Sequence, residues 1–290
     1  MKAITKIKLA NGLEMPSLGQ GTWLTGENHD VEDKEIDIMR YCIDRGLTLI
    51  DTAEAYGDGQ AEDLIGKAIK TVDRSKLFIV DKCHPFNAGK DQIEKSVDKS
   101  LERLGTDYID VYLLHYLIDR KEMPGFQEIV DGMNDLVAKG KIKGWGVSNF
   151  DVDDMKELFA CKGGDKCLIN QIQYNILARG AEYELLPWMK EHNVKMMVYA
   201  PMIHSREWRK NVLEDPILID MAKRYGISTF ELLLCFACHG EDYAVMFRCE
   251  EKEFVDKNIK AALTKLSDED MAIINEHYPA PTEKIPLQII

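Results

Sequence analysis

Leu47-Thr-Leu-Ile-Asp-Thr-Ala-Glu-Ala-Tyr-Gly-Asp-Gly-Gln-Ala-Glu-Asp-Leu-Ile-Gly66 is the stretch on which the fold turns. It opens with Leu47 to Ile50, an apolar run of strand length between Gly46 and Asp51. It closes with Ala61 to Lys70, where Leu64, Ile65, Ala68 and Ile69 recur at helical spacing. A polar turn carrying Asp51, Glu54 and Tyr56 joins the two. Strand, loop and helix make one βα unit, and folds built from such units bind ligands at the carboxyl ends of their strands. Asp51 and Tyr56 therefore stand where chemistry would be done; the bland alternative is an Asp-Gly turn with a packed tyrosine.

Working outward, the same alternation repeats. Upstream, Leu18 to Trp23 reads as a strand whose glycines permit close backbone approach, and Val31 to Arg45 as a helix. Before them, Lys6 to Met15 is two short alternating segments around Asn11-Gly12, a strong hairpin signal, expected to plug or cap one end of the repeated units. Downstream, Leu77–Lys82, Ile109–His115, Ile142–Val147, Leu168–Gln173, Val194–Ala200 and Tyr243–Phe247 are strand candidates. Helical patterns at 91–104, 126–138, 152–159, 182–191, 217–225, 230–238 and 253–263 separate or succeed them. Eight units in series, without a Pro/Gly-rich linker, predict an α/β fold, a single (β/α)8 TIM barrel over residues 1–290. A helix over 268–277, with Ser267 as its N-cap, and a Pro-containing tail to Ile290 finish the chain.

Composition narrows the function. At 290 residues the length suits one barrel, and a formal net charge of −13 argues against nucleic acid and anionic membrane surfaces. The start of the chain lacks a signal-peptide pattern, and no apolar run has the length of a membrane span. Seven cysteines without an export signal read as free thiols in a cytoplasmic protein. Cys235-Phe-Ala-Cys238-His239 matches a haem-attachment pattern, but it lies in a helical apolar segment and reads as structural. Cys161 and Cys167 frame a loop with no second ligand pair, so no metal site is expected.

If the barrel closes, the strand ends bring Asp51, Tyr56, Lys82, His115, Ser148, Asn149, Gln171, Tyr199 and Arg248 to one mouth. Singly, such residues are most often solvated surface; together they make a chemical set. A tyrosine is a poor acid at neutral pH, and a neighbouring ammonium lowers its pKa toward usefulness. An aspartate would hold that lysine charged, and a histidine could donate to a carbonyl oxygen as charge develops there. The set lacks an activated nucleophile and a metal cage. It can protonate an alkoxide, which calls for a hydride source.

The chain resembles the aldo-keto reductases over essentially its whole length. The motifs that carry the resemblance are Gly19-Gln-Gly-Thr-Trp23, Asp51-Thr-Ala-Glu-Ala-Tyr-Gly57, Leu104-Gly-Thr-Asp-Tyr-Ile-Asp-Val-Tyr-Leu-Leu-His115, Gly140-Lys-Ile-Lys-Gly-Trp-Gly-Val-Ser-Asn-Phe150 and Asn170-Gln-Ile-Gln-Tyr-Asn175. The resemblance implies reduction of a small-molecule carbonyl substrate with NADP(H) or NAD(H), bound in extended form without a Rossmann domain. It implies a tetrad of Asp51, Tyr56, Lys82 and His115, with Tyr56 as general acid. Ser148, Asn149 and Gln171 would bind the nicotinamide carboxamide and Tyr199 would stack on the ring. Thr22 and Trp23 would stand beside it, Trp23 toward the substrate with His84, Phe86, Tyr116 and Leu117. The resemblance thins after the eighth barrel strand, where Met246-Phe-Arg-Cys249 replaces Ile-Pro-Lys-Ser/Ala. Arg248 and Asn258 remain for the cofactor tail, Phe254 stands where a further arginine is common, and Glu250 and Glu251 oppose a phosphate. The loop after the seventh barrel strand, Met202 to Lys210, lacks the expected glycines. A cofactor-sensing or scaffold role with weak turnover is the alternative.

Overall fold

The computed structural model describes residues 4–240 and 242–289. The outermost positions read from sequence, Met1 to Ala3 and Ile290, lie outside that range. The chain begins with an antiparallel hairpin, β1 (Lys6–Lys8) and β2 (Glu14–Pro16), in the register Ile7↔Met15. Its turn carries Gly12 at φ 89°, a left-handed backbone that glycine adopts without strain. Eight parallel strands then close a barrel in the order β10-β3-β4-β5-β6-β7-β8-β9. They are β3 (Leu18–Gly21), β4 (Leu49–Asp51), β5 (Phe78–Cys83), β6 (Val111–Leu114), β7 (Trp145–Ser148), β8 (Cys167–Gln173), β9 (Lys195–Tyr199) and β10 (Tyr243–Phe247).

Helices cross back on the outside: α1 (Glu32–Asp44), α2 (Gln60–Ile69), α3 (Lys90–Leu104), α4 (Phe126–Ala138), α5 (Val152–Ala160) and α6 (Leu185–Glu191). After β9 come α7 (Arg206–Leu213), α8 (Pro216–Tyr225) and α9 (Thr229–Ala237); after β10 come α10 (Lys252–Ala262) and α11 (Asp268–His277). Ser267 caps α11, its side chain accepting from Asp270 N, and acidic residues fill the first turns of α1 and α11. Among the described residues no helix is long and apolar enough to cross a membrane.

Side-chain alternation along the strands builds two cores. Ile50, Ile79, Tyr112 and Val147 point outward and pack under the helices. Leu49, Phe78, Val80, Val111, Leu113, Met197 and Met246 fill the barrel interior with Ile7, Leu9 and Met15 of the hairpin. The hairpin therefore plugs the barrel at the amino ends of the strands, where Asn11 Nδ2 also donates to Lys143 O at 3.2 Å. Packing inside is close enough that a Cβ on Gly19 would stand 2.6 Å from Leu49 Cγ.

Three readings need correction. Residues 202–210 are not all loop: Ser205 caps α7, accepting from Trp208 N. Only Val212 of α7 is buried, so no apolar stripe announced it. The strand expected from Ile142 begins at Trp145, Ile142 making only a lone bridge to Ile109. Glu182 belongs to a short 3-10 turn that precedes α6.

Candidate active site

The alternation that fills the barrel also decides which polar groups enter it. On β5, Val80 and Lys82 face inward while Ile79, Asp81 and Cys83 face the helices. Lys82 thus stands one pleat above the apolar interior, and its side chain is fully buried. Its ammonium meets Asp51 Oδ1 at 2.8 Å, donates to Thr52 O at 2.7 Å and lies 3.1 Å from the Tyr56 hydroxyl. Asp51 ends β4, and Tyr56 comes next on the short turn before α2. His115, just past β6, sets its ring edge-on to Tyr56 with centroids 5.6 Å apart. The four residues named from sequence are together.

The charges are interdependent. Burial works against the Lys82 ammonium, but Asp51 and Tyr56 outweigh it and lift its pKa. Burial pushes the Tyr56 phenol above its ordinary value, with Lys82 pulling it down and Asp51 pushing it up. The expectation of a net lowering is therefore corrected: Lys82 opposes a rise that burial wins in this structure. Burial, then the Lys82 charge, lowers the His115 pKa to about 3. At neutral pH the imidazole is an uncharged donor, and its buried Nδ1 has no hydrogen-bond partner among the described residues. The arrangement can present a proton on oxygen beside a buried cation, with a neutral imidazole alongside.

A second row of polar groups lies across the mouth. Gln171 Nε2 donates to Asp51 Oδ1 at 2.7 Å, so part of the amide expected to meet a ligand holds the aspartate instead. Ser148 Oγ donates to Gln171 O at 2.9 Å, and Asn149 Nδ2 donates to Ser148 Oγ at 3.0 Å. The Tyr199 hydroxyl donates to Asn149 Oδ1 at 2.7 Å. Asn149 holds φ 62°, uncommon for a residue with a side chain, and Ala200 just beyond β9 holds φ 50°. Such strain gathers where the surroundings over-determine a site. Thr22 is buried and donates to Asp51 O at 2.9 Å. Trp23 is 41% exposed and packs on His204, ring centroids 4.9 Å apart.

The outer wall holds His84 and Tyr116, expected on the substrate side, together with Glu54 and His204, which sequence reasoning left without a role. Glu54 accepts from His84 N at 2.5 Å and Asn87 Nδ2 at 3.1 Å, pinning the loop after β5. His84 Nδ1 accepts from Phe86 N, so Nε2 carries the proton and donates to the Tyr116 hydroxyl at 2.8 Å. His204 was legible as a polar residue in the loop after β9 but had no periodicity to place it. At the other end of the mouth, Arg248 is already paired with Glu35 Oε1 at 3.3 Å and Glu250 Oε1 at 3.5 Å. Asn258 is buried on α10 and donates to Cys249 Sγ at 3.3 Å, rather than standing open to a ligand. A cavity of about 270 Å³ lies between α1 and the loop after β10, lined by Thr22, Glu35, Cys42, Arg248 and Cys249 among others.

Comparison with known proteins agrees with this geometry. The sequence model of the aldo/keto reductase family matches residues 17–279. Methylglyoxal reductase YeaE of Escherichia coli is 36% identical over 284 residues, covering 98% of each chain. An NADH-specific methylglyoxal reductase of the same species is 28% identical, covering 91% of this chain and 95% of its own. The crystal structure of an aldo/keto reductase from Klebsiella pneumoniae, in complex with NADP and acetate, superposes with a TM-score of 0.93. It is 36% identical and covers 99% of this chain and 100% of its own. A family model that spans the barrel and likeness in both sequence and fold from end to end lead to one assignment: this chain is an oxidoreductase of the aldo/keto reductase family.

Proposed function

We propose that the chain reduces a small aldehyde or ketone to the alcohol, with Tyr56 as general acid. The observation that carries the reading is the fully buried Lys82 ammonium, which touches both Asp51 Oδ1 and the Tyr56 hydroxyl. A nicotinamide bound at the mouth supplies the hydride. As negative charge develops on the carbonyl oxygen, Tyr56 gives up its proton to it, and the phenolate left behind is stabilised by Lys82. Asp51 keeps the lysine charged and is itself held by Gln171 and Lys82. Neutral His115 donates to the same oxygen and orients the substrate.

The residues at the mouth suit the nicotinamide end. Gln171 has an amide oxygen that accepts no hydrogen bond from the described residues, apt for a carboxamide N–H, with Ser148 and Asn149 beside it. Tyr199 is half-buried and offers a ring to stack on. The tail is less committed. Arg248 alone remains of the expected cations, and Phe254 on α10 cannot donate. Both nicotinamide cofactors should bind, with NADPH favoured by no more than about a hundredfold, ~2.8 kcal/mol. The relatives support this breadth, one being NADH-specific and a solved neighbour holding NADP. Their names also support a small oxo-aldehyde substrate such as methylglyoxal, whose second oxygen the Tyr116 hydroxyl, itself held by His84, and His204 could meet.

Tyr56→Phe tests the acid. Turnover with methylglyoxal should fall about 10²–10⁴-fold, while cofactor affinity, measured by fluorescence titration, changes little. Near-normal turnover in a folded variant would remove Tyr56 from the role.

A further inference from the structure

The loop after β10 and the first residue of α10 are fastened to α1 by charge. Lys34 Nζ meets Glu251 Oε1 at 2.5 Å, Arg248 Nη2 meets Glu35 Oε1 at 3.3 Å, and Lys252 Nζ meets Asp37 Oδ2 at 2.6 Å. The first and last pairs lie on the surface, where solvent and salt leave such pairs little net effect. The middle pair is different. The Glu35 side chain is only 14% exposed, and its other oxygen, Oε2, accepts the Gly26 N–H at 2.9 Å. Its carboxylate is therefore fixed between the loop after β3 and the loop after β10. Glu35 and Arg248 both line the cavity beside Thr22.

An arginine held this way is not an open phosphate clamp. A phosphate can use Arg248 only by taking it from Glu35, or by coming close to that carboxylate and meeting its repulsion. An uncharged hydroxyl has neither difficulty. We propose that Glu35 is a specificity-determining residue, competing with the ribose 2′-phosphate of NADPH for Arg248 and so narrowing the preference over NADH. The proposal rests on the reading of this mouth as a nicotinamide cofactor site. Glu35 acts through Arg248, so its effect falls on the phosphorylated cofactor alone, and the ion pair forms again when that cofactor leaves.

The test is Glu35→Gln, which removes the charge and keeps an acceptor for Gly26. NADPH and NADH are titrated into wild type and variant by intrinsic fluorescence. The NADPH dissociation constant should fall about tenfold or more, the scale of one charge-assisted hydrogen bond, and that of NADH should scarcely move. In the Arg248→Ala background the gain should vanish. Equal shifts for both cofactors, no shift for NADPH, or a gain that persists without Arg248 would each overturn the proposal. If neither dinucleotide binds either protein, the cofactor reading falls and this proposal falls with it. If both bind wild type and Glu35→Gln changes nothing, the proposal falls alone.

Discussion

A buried ammonium is costly unless its surroundings answer it, and Lys82 is answered three times, by Asp51, Thr52 O and Tyr56. Removing the cation separates its two roles. Lys82→Met should raise the Tyr56 pKa further, since burial and Asp51 would act unopposed by the ammonium. Tyr56 must be protonated to act as an acid, so the alkaline limb of the kcat profile should move to higher pH while the rate falls. Asp51 would also lose its ionic partner, so some stability should be lost as well. A variant whose pH–rate profile overlays that of wild type would show that Lys82 and Tyr56 do not communicate. These residues were legible in sequence because each lies near the carboxyl end of a strand or in the loop beyond it. Their pKa balance was not legible, because burial is set by every neighbour.

At the scale of the element, β5 carries a second consequence of alternation. Asp81, next to Lys82, faces α2, where it is fully buried against Glu62. Arg103 of α3 pairs with Glu62 Oε2 at 2.7 Å, leaving Glu62 Oε1 and Asp81 Oδ2, as carboxylates, without partners among the described residues. One shared proton would relieve both, and burial together with the Glu62 charge lifts the Asp81 pKa well above its ordinary value. An acid raised in the folded state makes folding bind a proton. From about pH 4, the unfolded value, stability falls with rising pH until the folded pKa is passed, at up to about 1.4 kcal/mol per pH unit. Asp81→Asn keeps an acceptor for Lys82 N and gives Glu62 Oε1 a permanent donor. The melting temperature of this variant should be higher than wild type at pH 8, with the gap shrinking toward pH 5. Parallel curves would mean that no proton is shared. Asp81 and Glu62 lie in separate elements of the sequence, as do Glu35 and Arg248, and only the closed barrel brings each pair together. Periodicity gave the strands and most helices, since one apolar face repeats along them. It missed α7, whose exposed turns bury Val212 alone.

The whole molecule separates stability from chemistry by using opposite ends of one barrel. The polar groups of the mouth stand at the carboxyl ends of the strands, while the Asn11-Gly12 hairpin seals the amino ends with Ile7, Leu9 and Met15. Met15 is wholly buried and shares the barrel interior with Leu49, Val80 and Leu168. Along β5, Lys82 is the inward-facing side chain that follows Val80, one pleat above that floor. Met15→Ala removes most of a buried side chain from a rigid enclosure, so the space cannot fully collapse. The expected cost is about 2–5 kcal/mol of unfolding free energy, read from urea denaturation. Because the hairpin and the mouth lie at opposite ends of the barrel, turnover per folded molecule at saturating substrate should remain near wild type. A strong fall in kcat at temperatures where the variant is fully folded would mean that the plug positions Lys82 through the interior. The separation of the two ends would then be lost. A loss of stability with kcat preserved would leave the hairpin as a stopper for the barrel floor, free to vary without altering the chemistry above it.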